Sequence, residues 1–138
     1  MSEGSLWEYL REGMRGRWDA CRHEDAVTPG VPDVSYGVNG IQGWIELKAL
    51  KDWPKKEDTA VPLNHLTKFQ KLWLKRRGES GAACWILLRV NRDYLLFSWQ
   101  VLDELGEANQ FRLKNIASAK YTGKIDWDDF EKHVCVKR

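Results

Sequence analysis

The chain has 138 residues, 43% hydrophobic and 30% charged, which is long enough for one domain with a real core. Its net charge of +2 is too small to argue for a nucleic-acid partner, so any such argument rests on where the charges lie. No run approaches the roughly 20 apolar residues of a membrane span, "MSEGSLWEYLREG" lacks the layout of a secretory leader, and Cys21, Cys84 and Cys135 lack metal spacing. The expectation is a cytoplasmic protein with reduced thiols.

The first predicted element is a helix from Ser5, as N-cap, to Met14, with Leu6, Leu10 and Met14 on one face. A strand follows in "RWDACRHE", and Pro29, Gly30 and Pro32 punctuate the approach to the next strand. Asn39-Gly40 then marks a tight hairpin, because both central residues of a type I′ turn need positive φ. A second helix is signalled by "NHLTKFQKLWLKRRG", with Asn64 as cap and Gly78 as stop. Its expected inward stripe is Leu66, Phe69 and Trp73, with Gln70 within the stripe and Lys68, Lys71 and Lys75 opposite. Two strands, "AACWILLRV" and "YLLFSW", flank a turn at Asn91-Arg92-Asp93. The remainder reads as helical: a short piece near Val101 to Leu105, an unassigned middle, and "DWDDFEKHV" capped by Asp126. This order is α+β or mixed α/β, a single domain over 1–138 with a core over about 5–99 and a helical extension over about 100–138.

The hairpin carries the chemistry. Pairing Val38 with Ile41 and counting outward sets Asp33 opposite Glu46, and Lys48 shares the face of Glu46 because strand side chains alternate. Val34, Tyr36, Ile45 and Leu47 make the opposite, apolar face. A four-residue loop would slip the register by two and leave the faces unchanged. Two carboxylates facing each other across a strand pair repel, and a cation between them relieves that repulsion. Mg²⁺ takes oxygen ligands of this kind and leaves room for water and phosphate oxygens. Lys48 is placed to orient or deprotonate a water, or to offset charge on phosphorus.

"GVPD" followed by "WIELK" resembles the PD-(D/E)xK nuclease signature, with Pro32-Asp33 and Glu46-Leu47-Lys48 as its two parts. "LTKFQKLWLKRRG" is similar to the Gln-bearing helix of the VRR-NUC and Holliday-junction-resolvase-like branch. The resemblance covers about residues 5–99 and implies a restriction-endonuclease-like core, helix-strand-strand-strand-helix-strand. It also implies Mg²⁺ (with Mn²⁺ able to substitute) on Asp33, Glu46 and the Leu47 carbonyl, a catalytic Lys48, and Gln70 projecting toward the site. A further acid is expected; Glu24, in "RHED", ranks above Glu8 of the first helix, which is better phased than Glu3 or Glu12.

Around that site, Arg22, Lys51, Lys55 and Lys56 are candidates for holding a nucleic-acid backbone. Lys68, Lys71, Lys75, Arg76 and Arg77 form either a solvated face or a phosphate-contacting ridge. Trp44, on the site face, and Trp53, just after the strand, are candidates for base stacking. His23 and His65 stay outside the catalytic set. The leading reading is a metal-dependent DNA endonuclease, structure-selective on branched DNA such as Holliday junctions or flaps. The small motif layout resembles phage-carried nucleases, which would act in a bacterial host's cytoplasm. Junction cutting needs two symmetrical cuts, hence a homodimer; no organic cofactor or membrane is expected. The rivals are a non-cleaving module that binds structured DNA and a nuclease subunit that needs a partner protein.

Overall fold

The computed structural model describes residues 1–23, 29–63 and 65–136. In chain order they form α1 (Glu3–Gly13), β1 (Asp19–Arg22), β2 (Val34–Val38), β3 (Ile41–Leu50), α2 (Lys68–Glu79), β4 (Ala83–Val90), β5 (Asp93–Ser98), a 3-10 helix (Trp99–Glu104), α3 (Gln110–Ile116), β6 (Ala119–Thr122) and α4 (Trp127–Val134). The class is mixed α/β. Among the described residues, six strands form one sheet in sequential order. β3 and β4 run parallel, while the other neighbouring pairs are antiparallel. A parallel pair cannot be joined by a tight turn, and α2 makes the crossover.

The turn chemistry sets the register at the heart of the sheet. Asn39 and Gly40 take φ of 49° and 79°, and β2 pairs with β3 from Val38↔Ile41 to Val34↔Ile45. The two-residue loop is therefore the one adopted, and the next rung outward is Asp33 and Glu46.

Each face of the sheet buries its own core. On one face, Leu6 and Leu10 of α1, its C-cap Met14, and Phe130 and Val134 of α4 pack with Val34, Tyr36, Ile45 and Leu47. On the other, Leu74 of α2, Leu102 of the 3-10 helix and Leu113 of α3 pack with Ile86, Leu88, Leu95 and Phe97. Each fully buried side chain of this size contributes about 1.5–3 kcal/mol.

Three expectations change. The first helix begins three residues earlier, because Ser2, not Ser5, is its cap and accepts the Ser5 N–H at 3.1 Å. The second helix is capped by Thr67 in a reciprocal box with Gln70, while Asn64 lies outside the described residues. Its buried stripe is Leu74 and Gly78, and Phe69 is 60% exposed. The reason is tertiary: the Trp99 ring lies against Gly78, where an added Cβ would meet it at 2.4 Å, and this fixes which side of α2 turns inward. Third, residues 100–138 are not purely helical, since β6 pairs with β5 from Leu96↔Ala119 to Asp93↔Thr122. Asp126 does cap α4 as expected, accepting from the Asp129 N–H at 3.2 Å.

Candidate active site

β2 begins at Val34, so β3 runs past it from Glu46 to Leu50 with one edge free of β2. Asp33 turns its side chain into that gap. Its Oδ2 accepts the Leu47 N–H at 2.8 Å, and its own N–H donates to Glu46 Oε1 at 3.2 Å. The carbonyl of a strand residue points the same lateral way as its N–H, so the Leu47 carbonyl faces the side that Asp33 occupies. Glu46 and Lys48 lie on the α2 face of the sheet, opposite Ile86 and Leu88 of β4. There they are 1% and 5% exposed. The Lys48 ammonium sits 3.1 Å from Glu46 Oε2 and donates to the His65 carbonyl at 2.7 Å. Asp33, Glu46 and Lys48 thus form one connected cluster.

Burial decides its electrostatics. Loss of water pushes the Glu46 carboxyl up to about 8, and the neighbouring Asp33 charge adds to this while Lys48 opposes it. The desolvation cost outweighs the ion pair, as expected for an ion pair this deeply buried. Burial and the Asp33 charge thus both favour the protonated Glu46 carboxyl. The donor set is all oxygen: two carboxylates and a strand carbonyl, the kind that hard divalent cations take. A cation would also relieve the repulsion between Asp33 and Glu46. By that measure the residues fit such an ion, although among the described residues no third Asp, Glu, His or Cys joins the pair.

The other expected residues are placed as follows. Glu24 lies outside the described residues. Glu8 is exposed on α1, a helix that packs on the sheet face opposite Glu46 and Lys48. Gln70 sits in the first turn of α2, beside the segment leading to Asp33: a Cβ on Gly30 would lie 3.2 Å from the Gln70 nitrogen and 2.5 Å from the Phe69 oxygen. Its side-chain oxygen is engaged at 2.9 Å by the Thr67 N–H, so in this structure it serves the helix cap. Arg22 is exposed at the end of β1, one rung from Asp33. Lys51, Lys55 and Lys56 are exposed just beyond β3, as are Lys68 and Lys75 on α2. Lys71 departs from the expected outer ridge, because its ammonium donates to the Leu105 carbonyl at 2.9 Å and ties α2 to the 3-10 helix.

Trp53 is also a correction. Its Nε1 donates to Asp93 at 2.8 Å and Lys114 lies over its ring, so it packs toward β5 and α3 instead of stacking freely. Trp44 keeps its place on the site face, two residues before Glu46. Sequence reasoning does not group it with its neighbours. His23 donates its backbone N–H to the Asp33 carbonyl at 2.7 Å and its ring lies 5.3 Å from that of Trp44. Trp73 and Arg77 of α2 complete the row. Strand alternation could have placed His23 beside Asp33, but nothing local could have brought α2 to Trp44.

No family model matches the chain, and no curated protein matches it. Among solved structures, it is similar to Hjc, a Holliday junction resolvase from the archaeal hyperthermophile Archaeoglobus fulgidus. The two share 20% identity over 72% of this chain and 77% of that one, with a TM-score of 0.43.

Proposed function

We propose that the protein is a divalent-metal-dependent endonuclease of the PD-(D/E)xK type that hydrolyses DNA phosphodiester bonds. The observation that carries this reading is the convergence of Asp33, Glu46 and Lys48 at the free edge of β3, two carboxylates and an ammonium on neighbouring strand positions. Asp33, Glu46 and the Leu47 carbonyl would hold the ion, with Glu24 as a further acid; Glu8, on the opposite face of the sheet, would not reach it. When bound, such an ion supplies a water of lowered pKa and positive charge beside the phosphate. As a ligand Glu46 would be the carboxylate, its proton passing to solvent. Lys48, beside Glu46, would orient or deprotonate the attacking water, or stabilise charge on phosphorus.

The substrate in this reading is branched DNA, a four-way junction or a flap, bound by the exposed Arg22, Lys51, Lys55 and Lys56 near the site. Cutting a junction symmetrically calls for a C2 pair of subunits. A second reading, a module that binds structured DNA without cutting it, is favoured by one observation: Lys48 is already engaged by Glu46 and by the His65 carbonyl.

The test is Mg²⁺-dependent cleavage of labelled four-way junction, flap, nicked and linear duplex DNA, with wild type beside Asp33→Ala. Cleavage of branched DNA by wild type alone is expected. Equal cleavage by Asp33→Ala would overturn the assignment. Tight binding by both proteins, without cleavage of any substrate, would establish the binding module instead.

A further inference from the structure

Beside the carboxylates, on the same sheet face, lies a cluster that the cleavage chemistry does not use. Trp44 precedes Glu46 by one pleat, roughly 6.7 Å along the strand. The Trp73 ring stands edge-on to it, with centroids 4.8 Å apart. The Arg77 guanidinium lies 4.5 Å from the Trp73 centroid and 5.7 Å from that of Trp44. On the far side, the His23 ring contacts Trp44 and is held by Ser35 Oγ at 2.7 Å. The row runs from β1 across β3 to α2.

Trp44 and Trp73 pack at the margin of the second core, which does not close over them. Trp44 and Trp73 are only partly buried, and Arg76 and Arg77 are exposed. Trp73, Arg76, Arg77 and Ser80 line a cavity of about 320 Å³ open to solvent. Among the described residues, neither arginine forms an ion pair. The carbonyl of Arg76 is already taken by Ser80, through both its N–H and its hydroxyl, so the helix end offers cationic groups to the cavity more than bare carbonyls. An indole braced by a second indole, with a guanidinium held over it, is ordered before any ligand arrives, which lowers the entropic cost of binding. Its chemistry fits one class of ligand: a flat π-face joined to a phosphate. Bases stack on aromatic rings whatever their sequence, and guanidinium groups take phosphate oxygens in a fork. A base within a duplex is already stacked on both sides, so a Trp at the rim can take only an unpaired one.

We infer that Trp73 and Arg77, backed by Trp44 and joined by Arg76, form a subsite for one unpaired nucleotide within a few residues of the scissile phosphate. The inference rests on the nucleic-acid reading above and sharpens it: the preferred substrate carries a gap, flap or open junction arm on the Trp44 side of Glu46.

The test is binding of the full chain, in EDTA so that nothing is cut, to three fluorescein-labelled probes: a paired duplex, the same duplex with a short single-stranded gap, and the single strand. Trp73→Ala is expected to weaken the gapped and single-stranded probes about tenfold and to leave the duplex within about twofold. Trp73→Phe, which keeps a ring and guards against a folding artefact, is expected to recover most of that loss. Arg77→Gln is expected to weaken all three and to lower the slope of log affinity against log salt by about one. Gapped-probe binding by Trp73→Ala within about twofold of wild type would overturn the inference, as would failure of wild type to bind any probe. Cleavage by wild type in Mg²⁺ separates the two claims. If wild type cuts DNA and Trp73→Ala binds and cuts like it, the subsite falls and the nuclease stands. If wild type cuts nothing but the Trp73 dependence holds, the nuclease falls and the subsite stands.

Discussion

Replacing Glu46 with Gln tests the electrostatics of the cluster without substrate or metal. Burial, with Asp33 adding to it, raises the Glu46 carboxyl from 4.5 to about 8. A group raised in the folded state contributes its stability fully below the unfolded value, and that contribution is lost as pH climbs through the folded value. Each unit is worth about 1.36 kcal/mol. Wild type in metal-free buffer should therefore lose about 3 kcal/mol between pH 4.5 and 7, and about 4 kcal/mol by pH 8.5. Gln keeps the shape and has no proton to lose. Removing the partner of Lys48 adds an offset that does not vary over this range, and it cancels when the difference between the two proteins is followed against pH. The assay is thermal and urea unfolding of both proteins in EDTA, at half-unit steps from pH 4.5 to 8.5. The advantage of Glu46→Gln over wild type is expected to grow by about 3 kcal/mol by pH 7, a widening of the Tm gap of roughly 9 °C. Two stability curves that stay parallel within about 0.5 kcal/mol would refute the buried, proton-holding Glu46. Mg²⁺ at about one hundred times its Kd should return about 2.7 kcal/mol to wild type and little to the variant.

Three further outcomes follow from the same contacts. Lys48→Met removes the group that lowers the Glu46 carboxyl, so proton release on metal uptake, measured by calorimetry in buffers of different ionisation enthalpy, should move to higher pH; cleavage should fall by about 10² or more. Tyr36 donates to the Val134 carbonyl at 2.6 Å and accepts from Trp85 Nε1 at 3.0 Å in the first core. Tyr36→Phe leaves both buried groups unpaired and should cost about 1–3 kcal/mol in urea unfolding. Gly30 has φ of +85°, and a Cβ there would lie 2.5 Å from the Phe69 carbonyl oxygen. Gly30→Ala should destabilise by about 1–3 kcal/mol and, assayed well below its Tm, should still cleave more slowly, because the strain falls on the segment that positions Asp33.

Some of this protein is set by residues close together in the chain. Asn39-Gly40 dictates a two-residue turn through its own backbone preferences, and strand alternation then carries that register to Asp33, Glu46 and Lys48 with no further information. Asp126 caps α4 for the same kind of local reason, as an acid side chain three residues before the N–H it accepts. The phase of α2 was not legible in this way. Phe69, Leu72, Trp73 and Leu74 give that helix apolar residues on more than one side, and the choice was made by the Trp99 ring against Gly78, twenty-one positions away. β6 escaped notice because four residues at a sheet edge carry almost no periodic signal, and only pairing with β5 makes them a strand. The hairpin alone makes Glu46 and Lys48 a polar pair on one face. Their burial, the raised Glu46 carboxyl, the His65 carbonyl on Lys48 and the row of Trp44, Trp73 and Arg77 all come from α2 and the segment that leads into it crossing over that face. The sequence by itself determined which side chains share the site; tertiary packing decided how dry it is and what stands beside it, because desolvation and cross-element contacts depend on segments distant in the chain.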